Sequence, residues 1–128
     1  MNERQRAAVM SEHKRLLVLA GAGSGKTRTL LQKLIYLIEH KGIKSFNILA
    51  ITFTKNAANE MLDRLILAAD TSESYANILE DKSLNSQELQ DQRYLYCKKF
   101  KWIDRLTLRT FHSLCYSIML NFGVQTFD

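Results

Sequence analysis

Apolar residues along this chain alternate between short unbroken runs and longer stripes at helical spacing. Leu16, Leu17, Val18 and Leu19 form the first run, the pattern of a strand covered on both faces. Over residues 27–40 the apolar positions are Leu30, Leu31, Leu34, Ile35, Leu37 and Ile38. That wide helical stripe predicts a helix packed hard onto a sheet, and Gly42 fits its terminator. Residues 47–53 read as a second buried strand. Over residues 56–69, Ala57, Met61, Leu65 and Ala69 share one face, with Ala58, Leu62 and Ile66 beside it and Glu60, Asp63 and Arg64 opposite. That is an amphipathic helix. A short helix over residues 3–11 precedes all of these. Strand, helix, strand and helix at these lengths predict right-handed crossovers and a parallel sheet, hence an α/β fold.

Residues 70–104 break the pattern, being polar and mixed in charge. Asn85 with Glu88 three positions on resembles a capping box and predicts a helix over 86–99. Residues 106–110 are a candidate third strand. Residues 112–122 read as a last helix, with Leu114, Ile118 and Phe122 on one face and Cys115 and Met119 beside them. No proline interrupts any of these helices, and neither an internal repeat nor a low-complexity linker is visible.

Composition narrows the class. The 128 residues suit one domain of ordinary size with a real core. No apolar run is long enough to span a bilayer, and the N-terminus lacks the apolar region of a signal peptide. Cys97 and Cys115 show no metal-site spacing, which favours reduced thiols in a cytoplasmic protein. The net charge of +5 suits a polyanionic partner, although a soluble domain that is merely basic accounts for it equally well.

The chemistry concentrates in Ala20, Gly21, Ala22, Gly23, Ser24, Gly25, Lys26 and Thr27, set between the first expected strand and the helix after it. Strand, glycine-rich turn, Gly-Lys-Thr and helix in that order describe a phosphate-binding loop. Small residues let successive N–H groups curl toward phosphate oxygens, and the helix adds its unpaired N-terminal donors and positive dipole end. Lys26 is placed to reach terminal phosphates and Thr27 to ligate Mg²⁺. The strict pattern asks for Gly where Ala20 stands, a small change where no positive φ is needed.

Other candidates carry less. His13, His40 and His112 form no metal-ligand spacing. His112 beside Ser113 suggests a nucleophile pair, but a helix start capped by Thr110 or Ser113 explains the same residues. Lys98, Lys99, Phe100, Lys101 and Trp102 interleave cations and aromatics, a weak nucleic-acid signal; a solvated face with one buried Trp is the better explanation of the same residues. Thr52, Phe53, Thr54 and Lys55 end a parallel strand, the edge where α/β sheets bind ligands. Phe53 is there either to stack on a base or to close the core. Among Asp63, Asp70, Asp81, Asp91, Asp104 and Asp128, none follows a clean apolar strand as a metal carboxylate does in phosphate-loop NTPases; Asp104 comes closest.

Several motifs together resemble the UvrD/Rep/PcrA superfamily 1 DNA helicases. Asn2, Gln5, Ala8 and Val9 are similar to that family's opening glutamine motif. Residues 19–28 resemble its motif I, with Ala in the first position. Residues 48–54, then Ala57, Ala58, Glu60 and Met61, resemble motif Ia, although Lys55 and Asn56 stand in reversed order. Thr110, Phe111, His112 and Ser113 resemble the next motif. The resemblance spans most of the chain outside residues 70–104.

That resemblance implies a P-loop NTPase (RecA-like) three-layer fold with a parallel sheet, incomplete in this chain. Residues 1–128 would be the N-terminal part of the ATP-binding domain, with 70–104 a helical insertion. The implied activity is that of an ATP-dependent 3′–5′ DNA helicase or translocase, with ATP and Mg²⁺ as cofactors. Gln5 would read the adenine edge, and Ala22, Gly23, Ser24, Gly25 and Lys26 would cradle the phosphates. Thr27 would hold Mg²⁺, and Arg28 would lie beside the nucleotide. Phe53, Thr54, Lys55, Thr110 and His112 would touch single-stranded DNA or a 3′ tail. The remaining motifs and the second motor domain are expected in the remainder of a helicase chain, so a fragment of this kind is expected to bind nucleotide without unwinding. A stand-alone nucleotide- or DNA-binding module is the alternative. A small P-loop kinase would need a metal carboxylate and a lid arginine cluster that the sequence does not offer.

Overall fold

The computed structural model describes residues 1–21, 23 and 25–123, and the chain divides into two compact units, 1–44 and 45–128. The first unit holds two helices, α1 (Glu3–Met10) and α2 (Lys26–Glu39). A full capping box opens α1: the Asn2 side chain accepts from the Gln5 N–H at 2.8 Å, and the Gln5 side chain accepts from the Asn2 N–H at 3.0 Å. The helices pack on each other, and the unit buries Val9, Leu31 and Leu34. Lys33 Nζ donates to the Ser11 carbonyl at 2.6 Å, and Lys41 pairs with Glu12, so the segment leaving α1 is tied to the α2 side. Gly42, at φ +66°, turns the chain after α2.

Residues 16–19 form no strand, contrary to the expectation from their apolar run. Leu17 and Leu19 are 82% and 87% exposed. An apolar run becomes a strand only by pairing its backbone with a neighbour, and the described residues of this unit are otherwise helix and loop. Within the unit, α2 packs on α1 rather than on a sheet.

The second unit opens with a 3-10 turn, Ser45–Asn47, followed by β1 (Leu49–Thr52) and α3 (Lys55–Ala69). Three helices then fill the polar stretch: α4 (Ser74–Glu80), α5 (Ser86–Lys99) and α6 (Lys101–Arg105). The chain closes with β2 (Thr107–Thr110) and α7 (Phe111–Phe122). β1 and β2 pair in parallel, Leu49 opposite Thr107 through to Thr52 opposite Thr110. The parallel pairing is as expected, but among the described residues the sheet has two strands rather than three. β1 is not doubly covered either: Leu49 and Ile51 are exposed, because α3 covers one face.

α3 organises this unit. Leu65 and Ile66 are fully buried, and Ala58 and Met61 join them in the core with Tyr75, Ile103 and Leu106. Asp70 ends α3 and directs the chain into α4. Its Oδ1 accepts from the Ser72 N–H and hydroxyl, and its Oδ2 from the Ser74 hydroxyl and the Tyr75 N–H. Those donors, the Ser72 hydroxyl foremost, hold the Asp70 carboxyl down at about 2. The Asn85 side chain caps α5 by accepting from the Glu88 N–H at 2.8 Å and donates to the Glu88 carboxylate at 2.9 Å. Phe100 bends the chain into α6, where the buried side chain is Ile103 and Trp102 is only half-buried. The expected buried tryptophan is corrected accordingly: a one-turn helix points Ile103, not Trp102, at the core.

Candidate functional site

In the first unit, Gly23 and Gly25 take φ of +73° and +82°, left-handed values that glycine adopts without strain. Ala22 and Ser24, also expected to line the loop, lie outside the described residues. Gly25 is the N-cap of α2 and offers no side-chain cap. The first-turn N–H groups of α2 therefore meet the positive end of the helix dipole with no capping oxygen from that residue. The Thr29 hydroxyl turns back to the Gly25 carbonyl at 2.9 Å, fixing the first turn.

Lys26 leads this helix, and the structure brings it to the same cleft as Gln5. That cleft, about 550 Å³, is bordered by Asn2, Gln5, Ala20, Lys26, Thr29 and Leu30 among others. Its charged lining consists of Arg4, Lys26 and Lys33, with no carboxylate among the described lining residues. A Cβ on Gly25 would lie 3.0 Å from Gln5 Nε2, so the absence of a side chain there is what admits the glutamine. Thr27 is half-buried and Arg28 exposed, and neither lines the cleft.

In the second unit, the register of the strand pair sets two strand-to-helix junctions level with each other. Thr52 opposes Thr110 at the ends of β1 and β2, and a helix starts just beyond each. Both starts are capped by threonine. The Thr54 hydroxyl accepts from the Ala57 N–H, and the Thr110 hydroxyl accepts from the Ser113 N–H, each at 3.1 Å. A hydroxyl that accepts a cap bond still has its own proton to donate. Between the β1 end and α3, Phe53 is 91% exposed and is not part of the core that this unit buries. Lys55 and His112 are exposed at the same edge. The structure thus gathers Phe53, Thr54, Lys55, Thr110 and His112 at the carboxyl ends of two parallel strands.

The aspartates weighed as metal ligands are committed elsewhere. Asp63 binds Arg93 and Tyr75, Asp70 caps the entry to α4, and Asp81 accepts from Ser83. Asp91 accepts from Gln87, and Asp104 pairs with Lys98 at 3.0 Å. Asp128 lies outside the described residues, among which no cluster of three potential ligands occurs. In the basic-aromatic run the lysines are exposed, with Lys98 over the Tyr94 ring and Lys99 over those of Tyr96 and Phe100. Cys97 and Cys115 are free thiols, and burial raises the Cys97 pKa.

The sequence pattern missed Asp63 as an anchor. It falls on the polar face of α3, yet only Glu60 and Arg64 there form an exposed pair, at 2.8 Å. Asn59, Arg105 and Arg109 were missed as well. They line a second groove with Lys55, Thr110 and Ser113, and no periodicity links residues from three separate elements.

The parallel strand pair and the helices joining it make this a mixed α/β chain. Residues 1–127 match the family described as the UvrD/REP helicase N-terminal domain, and the chain belongs to that family. It is similar to the ATP-dependent DNA helicase PcrA of Staphylococcus aureus strain Mu50, with 49% identity over 65 residues. The corresponding PcrA of Staphylococcus epidermidis strain RP62A is 51% identical over 65 residues. Each alignment covers 51% of this chain and 9% of the relative, so the match spans a small part of those proteins. Among the described residues, no helix is long and apolar enough to cross a membrane.

Proposed function

We propose that this chain is the ATP-binding portion of an ATP-dependent 3′–5′ DNA helicase, built on a RecA-like P-loop fold. The observation that carries the reading is the cleft shared by Gln5 and the α2-leading Lys26, in a chain of the UvrD/REP family. The donor set fits a polyphosphate: cations without carboxylates, a helix N-terminus without a side-chain cap, and two glycines that keep Cβ atoms out of the turn. In this reading Gln5 holds the adenine edge and Lys26 the terminal phosphates. Gly23 and Gly25 bring backbone N–H groups close, Thr27 offers its hydroxyl to Mg²⁺, and Arg28 lies beside the nucleotide. ATP supplies the phosphoanhydride bond whose hydrolysis drives movement along DNA.

Single-stranded DNA, or DNA with a 3′ tail, is the proposed substrate. Phe53 offers a stacking face to a base, Thr54 and Thr110 offer hydroxyl protons, and Lys55 and His112 lie beside them. Residues 70–104 are read as a helical insertion, supported by α4, α5 and α6 filling that stretch. Because motor helicases close a cleft between two domains, the 128-residue chain alone is expected to bind nucleotide and single-stranded DNA without unwinding a duplex.

Titration of the chain with Mg·ATP tests this directly. Lys26→Ala should weaken binding by about tenfold or more, the worth of one charge-assisted contact. Equal affinity in the variant overturns the nucleotide assignment. A strong DNA-stimulated turnover by the chain, lost in Lys26→Ala, overturns the expectation that binding is all it does.

A further inference from the structure

The groove of about 610 Å³ beside α3 contains three cations from three elements: Lys55 at the start of α3, Arg105 at the end of α6, and Arg109 on β2. All three are exposed, and none forms an ion pair with a carboxylate among the described residues. One carboxylate, Asp104, also lines the groove, and its ion pair is with Lys98 at 3.0 Å rather than with any of these three cations. Arg109 Nη1 donates to the Ser113 hydroxyl at 3.3 Å, which draws its guanidinium toward the first turn of α7. On α3, Lys55, Asn59 and Leu62 fall at i, i+4 and i+7 and present one stripe to the groove. Three cations against one carboxylate leave the groove net positive, and an anion seated among the cations offsets their mutual repulsion.

We propose that this groove takes the phosphate backbone of a single nucleic-acid strand, with Arg105 and Arg109 as backbone ligands. The inference rests on the DNA reading above and extends it from the strand-end residues into the segment that contains α6. Two features favour a strand over an isolated phosphate. The cations are spread along the groove wall on separate elements rather than focused on one point. The groove is also lined by Lys55 and Thr110, each two positions from an exposed residue of the strand ends, Phe53 and His112 respectively. No aromatic residue lines it, so it offers nothing for a base to stack on. Phe53 takes the base while the groove takes the sugar-phosphate chain, giving contacts that position a strand without reading its sequence. Lys99, which sits over its own aromatic neighbours, is not part of this track.

Anisotropy of a labelled oligothymidylate bound to the 128-residue chain, measured across a salt series, tests the assignment. Arg105→Gln and Arg109→Gln should each weaken binding severalfold at low salt. Each should also flatten the slope of log affinity on log salt by about 0.7, the share of one phosphate on a single strand. Arg105→Lys, which keeps the charge, should restore the slope, and Lys99→Ala should change neither quantity. Thermal melts should match wild type, because both arginines are exposed. Wild-type affinity and slope in both glutamine variants overturn the groove assignment. If Phe53→Ala still weakens binding in that case, the DNA reading survives; if the wild-type chain binds no oligonucleotide, both fall. Displacement of the oligonucleotide by inorganic phosphate at matched concentration overturns the strand in favour of a free anion.

Discussion

Arg93 grips Asp63 in a two-point ion pair across 30 residues of sequence, 2.7 Å from Nε to Oδ1 and 3.1 Å from Nη2 to Oδ2. Arg93 is buried, and its third nitrogen, Nη1, donates to the Gln90 side-chain oxygen at 2.6 Å. The Tyr75 hydroxyl donates to the same Asp63 oxygen at 2.5 Å, and the Tyr75 ring packs on Tyr96 with centroids 4.8 Å apart. Burial, then the Asp63 carboxylate, raises the Tyr75 pKa; Asp63 raises that of Arg93. One carboxylate on α3 therefore fastens both α4 and α5. Arg93→Ala should destabilise the chain by about 3 kcal/mol, because it leaves Asp63 half-buried and short of its counter-charge. Tyr75→Phe should cost about 1 kcal/mol, one hydrogen bond. Arg93→Lys should recover only part of the loss, since an ammonium cannot match the two-point geometry. Urea unfolding of the single variants and of the Asp63→Ala, Arg93→Ala pair measures the coupling; additive losses would show that the pair does not hold the helices.

Asp70 makes the same unit sensitive to acid. Its folded pKa is about 2, below the ordinary 3.8, because four donors converge on the charged form. A lowered carboxyl pKa gives stability that is complete above the unfolded value. It is lost as pH falls from about 4 toward about 2, where the unfolded chain binds more protons than the folded one. Urea melts across that window should show falling stability in the wild type. In Asp70→Asn, which does not titrate, the fall should be smaller and the starting stability lower. An unchanged pH profile in the variant would remove Asp70 as the cause.

Much of this arrangement was legible in the residue pattern, and the reasons for the rest are physical. The helix over 86–99 could be read because Asn85 and Glu88 carry a local signal that needs no tertiary partner. α3 and α7 followed from apolar periodicity, and the threonine cap at Thr110 from residue type. Residues 16–19 misled because an apolar run states only that burial is favourable, not which backbone will pair with it. α6 was hidden because five residues are too few to show a period. The Asp63, Tyr75 and Arg93 cluster was hidden because its members are 12 and 30 residues apart and meet only once α4 and α5 dock.

The two threonine caps separate stability from binding. Thr54→Ala and Thr110→Ala should each cost about 1 kcal/mol, since each removes the oxygen that accepts a first-turn N–H. Thr54→Asp and Thr110→Asp keep a good capping oxygen, but they exchange a donatable proton for a negative charge facing the proposed phosphate track. Both aspartate variants should melt near wild type and bind single-stranded DNA markedly more weakly. Retained DNA affinity in both would mean that these hydroxyls serve only the helices.

The exposed apolar surface of the second unit predicts self-association. None of the residues of α7 is buried, and Tyr116, Leu120 and Phe122 are 64%, 69% and 86% exposed. β1 and β2 each pair on one side only among the described residues, so each presents an open backbone edge, and Leu49 and Ile51 stand exposed on β1. Open edges beside apolar side chains favour pairing with another chain, and natural sheets suppress this with charges or covering elements. Light scattering should therefore show an average mass that rises with protein concentration, along with marginal thermal stability. A Leu120→Lys, Phe122→Ser double variant should lower that mass without unfolding the chain, because neither side chain is part of the buried core. A sharp monomer with a high melting temperature across the concentration series would show that this surface is stable in water without a partner.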